Sequence, residues 1–193
     1  TVVAIWGTPP VNSCRPPPSP RQVCLDFDAL APTDTFGLLA GQNPGDRAFT
    51  AQGVSVSVEM LPRQAAFGDV VADTVVVGAG RNRAIRFRGA ALRFDFRGLG
   101  FTPARLSMEV DYKGGRYSFA TDTSTRPVVS GLLDRPSPSP MPNIGASMVT
   151  FVAAATVSGG SLQAGKLTLS GGQPLWLEIG GQELWIDDLC LFE

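Results

Sequence analysis

The strongest constraint on the fold of this chain is a repeated two-residue alternation of apolar and polar side chains. It is clearest in Gly53–Glu59, where valine and serine alternate in the segment GVSVSVE. Successive side chains of a strand point to opposite faces, so this pattern predicts valines in a core and serines outside it. No long segment combines helical periodicity with capping residues. We therefore expect an all-β protein.

The centre of the chain contains two more alternating segments. Leu92–Arg97 and Leu106–Tyr112 each place apolar side chains on one face and charged or polar ones on the other. The pair Gly114-Gly115 then predicts a tight turn into a third strand, because glycine readily takes the positive φ that such turns need. The register that this arrangement implies pairs Phe94 with Met108, Arg93 with Glu109, and Tyr112 with Tyr117.

The segment Pro174–Phe192 has the pattern of a closing hairpin. Its two alternating halves flank Gly180-Gly181, which predicts a two-residue turn between them. In that register leucine and isoleucine side chains face the core, and Trp176 lies opposite Trp185 on the other face. Such a pair has three interpretations: it stacks on sugar rings, it receives an apolar element of a partner, or the domain's own loops cover it.

Composition agrees with many short strands in one domain. Glycine accounts for 22 and proline for 16 of the 193 residues, while only 17% are charged. This mixture favours strands joined by tight turns. For residues 24–193 we expect an antiparallel β-sandwich of jelly-roll type with roughly eight to eleven strands. The proline-rich part of Thr121–Asn143 is expected to be a surface loop.

Residues 1–23 differ from this body. They begin with an apolar, strand-like segment that consists of Thr1, Val2, Val3, Ala4, Ile5 and Trp6. Pro9–Pro20 follows with the sequence PPVNSCRPPPSP, which cannot join a sheet because proline lacks the N–H group, and which predicts an extended polyproline-type tether. A strand on a stiff tether either folds back onto its own domain or adds to the sheet of a neighbouring molecule.

Several function classes are disfavoured by composition. The net charge of −1 gives no electrostatic basis for binding nucleic acid. The longest apolar stretch, Ser147–Val157, is much shorter than the roughly 20 residues of a membrane helix, so we expect no membrane insertion. The chain has no histidine and no CxxC pair, which argues against a zinc site and a Ser-His-Asp triad. We expect no enzymatic activity and no cofactor.

Secretion is suggested by the first residues. The sequence starts at Thr1 without methionine or a basic segment, as a secreted chain does after removal of its signal, although a trimmed chain would look the same. Serines beside prolines are candidate O-glycosylation sites, and no Asn-x-Ser/Thr sequon is present. These candidate serines are Ser19, Ser137 and Ser139.

Two stretches carry a family resemblance. Residues 24–58, CLDFDALAPTDTFGLLAGQNPGDRAFTAQGVSVSV, and residues 167–192, LTLSGGQPLWLEIGGQELWIDDLCLF, resemble an uncharacterised group of secreted bacterial β-sandwich domains. That group opens on a Cys-x-Asp-Phe-Asp/Glu strand and ends in Gly-Gly-Gln-Glu-Leu-Trp-Ile-Asp-Asp-x-Cys. Both ends are also similar to galactose-binding-like and carbohydrate-binding jelly rolls, in which the first and last strands pair. The resemblance implies this fold and bacterial secretion, and it does not extend to residues 1–23.

The resemblance also has an implication for the cysteines. If the first and last body strands are antiparallel neighbours, Cys24 and Cys190 can form a disulfide, which the chain-entropy model values at roughly 4 to 5 kcal/mol. The alternative is a short bridge between Cys14 and Cys24 across the tether.

The same strand pairing suggests a metal site. Jelly rolls of this kind hold a structural calcium beside the paired end strands, and calcium takes six to eight oxygen ligands. The candidate ligands are Asp26, Asp28, Asp187 and Asp188. The alternative is that Asp187-Asp188 forms a bulge whose carboxylates cap nearby backbone N–H groups.

Together these patterns favour a secreted, non-catalytic structural subunit that assembles with itself. In this hypothesis Thr1–Trp6 inserts into the next subunit, and such head-to-tail addition propagates into an extracellular filament or surface structure. The alternative is a carbohydrate-binding or adhesion module that uses the face bearing Trp176 and Trp185.

Overall fold

The computed structural model describes residues 20–74, 83–134, 141–154 and 160–193. Within these residues the chain forms eleven β-strands and two single turns of 3-10 helix, Leu38–Ala40 and Arg97–Leu99, which confirms the all-β class. The strands are β1 (Gln22–Leu25), β2 (Thr35–Gly37), β3 (Arg47–Ala51), β4 (Val54–Met60), β5 (Asp69–Asp73), β6 (Ala84–Arg88), β7 (Ala90–Asp95), β8 (Arg105–Thr121), β9 (Met148–Ala153), β10 (Gln163–Ser170) and β11 (Trp176–Phe192).

The strands form two antiparallel layers that share β8 and β11. The first layer has the order β9-β10-β8-β11-β6-β5-β2, and β1 pairs with the C-terminal end of β11. The second layer has the order β8-β11-β7-β4-β3. Long strands that bend from one sheet into the other are a known way to close the corner of a sandwich.

The bends occur at the glycine pairs for which the sequence predicts hairpin turns. β8 runs through Gly114-Gly115 and β11 runs through Gly180-Gly181, each as one strand of 17 residues. The two predicted turns are therefore wrong. The glycines serve the bend instead: both residues of the β8 pair have positive φ, and the register between β8 and β11 shifts just after Gly181.

The predicted strand partners in the centre of the chain are also wrong. Phe94 pairs with Val56 and Leu177 rather than with Met108. Arg93 lies opposite Glu178 rather than Glu109. The faces of these strands are nevertheless as predicted, because alternation fixes which side chains point inward but not which strand lies alongside.

The core lies between the two layers. The valines of β4 have no exposed surface, as the alternation predicts, and they pack with the inward side chains of β7, β8 and β11. Tyr112 and Tyr117 lie in the same strand, and their rings meet edge to face with centroids 5.3 Å apart. None of the described residues belongs to a helix that is long and apolar enough to cross a membrane.

Candidate functional site

The sandwich is open along one side, where the end of β1 approaches β3. Among the described residues, β1 pairs only with β11 and β3 pairs only with β4. Between them lies a cavity of about 330 Å³, which we call the edge groove. It is lined by Leu25, Asp26, Phe27, Ala29, Leu30, Phe49, Thr50, Ala51 and Gln52.

The wall of the edge groove is mainly apolar and aromatic. Phe27 follows β1 with a positive φ of 57°, which turns its ring into the core, where it is 4% exposed. Its ring meets that of Phe49 edge to face at 6.4 Å, and Phe49 is only half-buried. The backbone carbonyl of Cys24 accepts a hydrogen bond of 2.8 Å from the side-chain amide of Gln52. The groove therefore joins apolar side chains to the edges of two strands.

A disulfide fastens the strand that borders the groove. Cys24 and Cys190 are direct partners in the antiparallel pair β1–β11, and they are bonded to each other. The pairing that the family resemblance implies is confirmed. Cys14, the partner in the alternative bridge, lies outside the described residues.

The other end of β1 borders a second cavity. Its volume is about 320 Å³, and we call it the entry pocket because the chain enters the domain beside it. Arg21 donates a 2.8 Å hydrogen bond to Glu193 and a 3.0 Å hydrogen bond to the carbonyl of Gly100. Its guanidinium lies 5.3 Å from the centre of the Phe101 ring. The pocket is lined by Phe96, Arg97, Gly100, Phe101, Thr102, Pro103, Pro174 and Leu175.

Trp185 is not part of a flat exposed platform. Its side chain is 3% exposed, and its indole N–H donates a 3.1 Å hydrogen bond to Asp73. The cationic groups of Arg86 and Lys113 lie 4.8 Å and 4.7 Å from the ring. In this environment the ring stabilises the first layer and offers no open face to a sugar.

Trp176 lies in a different layer from Trp185, so the predicted pairing of the two rings is wrong. The reason is that β11 continues through its glycines, which places Trp176 beside β7. Trp176 is half-buried, and the guanidinium of Arg93 lies 4.6 Å from its ring. The aromatic face on the second layer thus consists of one tryptophan covered in part by an arginine.

Arg93 joins this tryptophan to two carboxylates. It donates a 2.8 Å hydrogen bond to Glu178 and lies 3.8 Å from Glu59. Burial raises the pKa of Glu178, and the hydrogen bond from Arg93 opposes that increase. One arginine shared by two carboxylates forms a three-residue ion-pair network on this face of the second layer.

The four aspartates proposed for calcium fall into two local turns. Asp26 accepts a hydrogen bond from the N–H group of Asp28, and Asp187 accepts one of 2.7 Å from the N–H group of Asp188. Asp188 has a φ of 48°, and the β8–β11 register shifts there, so the predicted bulge is present. Among the described residues no group of three or more acidic, histidine or cysteine side chains is placed to hold a metal.

Carboxylates on the outer face of the first layer are more buried than the alternation suggests. Glu109 is 9% exposed, and burial raises its pKa although Lys166 lies 3.9 Å away. Asp111 and Asp187 are also buried. The alternation predicts the face of each side chain but carries no signal for what covers that face.

Other predicted sites lie outside the described residues. These are the donor segment Thr1, Val2, Val3, Ala4, Ile5 and Trp6, and the candidate O-glycosylation sites Ser19, Ser137 and Ser139.

No protein-family model matches this chain, and no significantly similar curated protein or solved structure was found.

Proposed function

We propose that this protein is a secreted, non-catalytic structural subunit that assembles into an extracellular filament by strand addition. The edge groove carries this proposal. It combines an apolar cavity with two strand edges on the open side of the sandwich, which are the two features that an added strand uses. Main-chain hydrogen bonds supply affinity in such complexes, and pockets for alternate side chains supply specificity.

The proposed occupant is the segment Thr1–Trp6 of a second copy. It is apolar and rich in β-branched residues. It is also the apolar strand-like segment to which the sequence pattern assigns no partner strand within residues 24–193. In an extended conformation Val2, Ala4 and Trp6 share one face, so either this face or the opposite one enters the groove.

The tether favours a neighbouring molecule over the same one. As polyproline helix, the 12 residues of Pro9–Pro20 would span about 37 Å. The groove lies at the far end of β1, a strand of four residues that covers only about 14 Å. A stiff tether of that length overshoots its own groove, and a head-to-tail contact between copies propagates into a filament when the rotation between copies does not close a ring.

Secretion is supported by the disulfide. Bonds of this kind persist in oxidising compartments and are rare in the cytosol of most organisms. The bacterial origin in this proposal comes from the resemblance of residues 24–58 and 167–192 to secreted bacterial domains.

Deletion of residues 1–13 tests the proposal. The described core begins at β1, so the deletion leaves it intact. Negative-stain microscopy and light scattering should find filaments for the full chain and monomers for the deletion variant. Filaments of equal abundance from both chains, or monomers from both, would overturn strand addition.

A groove variant tests the acceptor separately. Thr50 is exposed and lines the edge groove, so Thr50→Arg places a charge there without entering the core. Thr150 is an exposed threonine on β9, at the other edge of the first layer, and Thr150→Arg is the matched control. Loss of filaments with Thr50→Arg alone identifies the groove. Loss of filaments with Thr150→Arg alone would show that the acceptor site lies at β9 instead.

Carbohydrate binding is the competing function, and one feature still favours it: Trp176 is only half-buried beneath Arg93. If the deletion variant is monomeric and retains glycan binding that Trp176→Ala removes, adhesion rather than assembly is the function of the body.

A further inference from the structure

We propose that the entry pocket is a docking site for the polyproline segment Pro16–Pro18 of the same chain. The pocket is lined by Phe96, Phe101, Pro103, Pro174 and Leu175, of which Phe101 is half-buried and Leu175 exposed, while the other three are buried beneath them. Aromatic-lined grooves are the usual receptors for polyproline helices, whose preformed conformation costs little entropy to bind. This inference concerns the path of the tether and holds whether or not the chains assemble.

The position of the pocket identifies its occupant. Residues 1–19 lie outside the described part of the chain, which begins at Pro20. The guanidinium of Arg21, the next residue, reaches the rim of the pocket, where it donates a hydrogen bond to the carbonyl of Gly100 and contacts the Phe101 ring. The segment directly before Pro20 is Pro16-Pro17-Pro18-Ser19. The side chain of Arg21 therefore marks the edge of this cavity, and Pro16–Pro18 lie three to five residues before it in sequence.

Size and chemistry agree with this occupant. Four residues of polyproline helix extend about 12 Å, long enough to enter the pocket from its rim. Consecutive prolines have no N–H groups, so their burial leaves no donor without a partner. Leu175, which is 44% exposed at the pocket, would gain an apolar contact.

Arg21 itself is held firmly by Glu193. Two side-chain hydrogen bonds of 2.8 Å and 3.0 Å join them, and this hydrogen bonding lowers the pKa of the Glu193 carboxyl. The anchor fixes where the tether starts, and the pocket then fixes the direction in which it leaves the domain. A tether docked in this way would present Thr1–Trp6 in one direction instead of sampling many.

Photo-crosslinking of the full chain tests the docking. With p-benzoyl-phenylalanine in place of Leu175, irradiation should crosslink the pocket to residues 14–20 of the same chain, as mapped by mass spectrometry. Val152 is exposed on β9, and the same photo-crosslinker in place of Val152 is the control that should not reach the tether. Simultaneous Pro16→Gly, Pro17→Gly and Pro18→Gly substitutions should abolish the crosslink from position 175.

The outcomes separate this inference from assembly. Crosslinks from position 175 that join two chains, or that land outside residues 14–20, overturn docking within the chain. Crosslinks that persist in the glycine variant overturn recognition of the polyproline conformation. Filament formation is scored independently by microscopy, so either proposal, docking or strand addition, can be refuted while the other stands.

Discussion

Cys24 and Cys190 lie directly opposite each other on β1 and β11, and the disulfide between them joins the first described strand to the last. β1 has only four residues, and among the described residues it pairs with β11 and with no other strand. The covalent bond therefore secures a short edge strand that also forms one wall of the edge groove.

We expect the disulfide to account for a large part of the stability. Replacing both residues, Cys24→Ser with Cys190→Ser, should lower the free energy of unfolding by about 5 kcal/mol, because the bond closes a loop of 166 residues in the unfolded chain. Urea denaturation of oxidised wild type and of the double variant measures the difference. Cys14→Ser is the control and should leave the free energy of unfolding unchanged. A loss below about 1 kcal/mol in the double variant would contradict the entropic account of the disulfide.

The buried carboxyl of Glu109 should make stability fall as pH rises. Burial raises its pKa in the folded state, so the folded protein holds this proton more tightly than the unfolded chain does. The stabilisation is complete below the unfolded pKa, near 4.3, and is lost as pH rises through the folded value. Relative to wild type, Glu109→Gln should therefore become progressively more stable between pH 4 and pH 7 in urea denaturation.

Glu193 provides a control of opposite sign. The hydrogen bond from Arg21 lowers its pKa, so its contribution is present above the unfolded pKa and is lost as pH falls through the folded value. Glu193→Gln should thus lose stability relative to wild type as pH rises. If Glu109→Gln also loses stability relative to wild type as pH rises, the assignment for Glu109 is wrong; if Glu193→Gln instead gains stability, the assignment for Glu193 is wrong.

Gly180 of β11 lies directly against Ala91 of β7. A Cβ atom on Gly180 would lie 2.6 Å from the Cβ atom of Ala91, which is far too short. Gly180→Ala should therefore destabilise the protein by about 1 to 3 kcal/mol, the usual range for overpacking. Adding Ala91→Gly removes the Cβ atom of Ala91 and should recover part of this loss. The recovery should be incomplete, because backbone atoms of β7 remain 2.9 Å from the new Cβ atom. No recovery in thermal unfolding would locate the strain elsewhere.

The same glycines explain what sequence can and cannot predict here. Alternation assigns the inward faces of β4, β7 and β8 correctly, since that property is local. A glycine pair is equally compatible with a turn and with a bend in a continuous strand, so Gly114-Gly115 and Gly180-Gly181 do not distinguish a hairpin from a sandwich corner. Strand neighbours and the edge groove depend on contacts between distant residues, for which local patterns contain no information.

Trp185 should couple energetically to Asp73 through the indole N–H. Trp185→Phe removes this 3.1 Å hydrogen bond together with some packing, and Asp73→Ala removes the acceptor. A double-mutant cycle isolates the hydrogen bond, and we expect a coupling of about 1.5 to 3 kcal/mol because the acceptor is charged. Trp176→Phe combined with Asp73→Ala is the control: Trp176 lies beside β7 in the second layer, so these losses should add. Additive losses for Trp185 and Asp73 would mean that Trp185 contributes through packing alone.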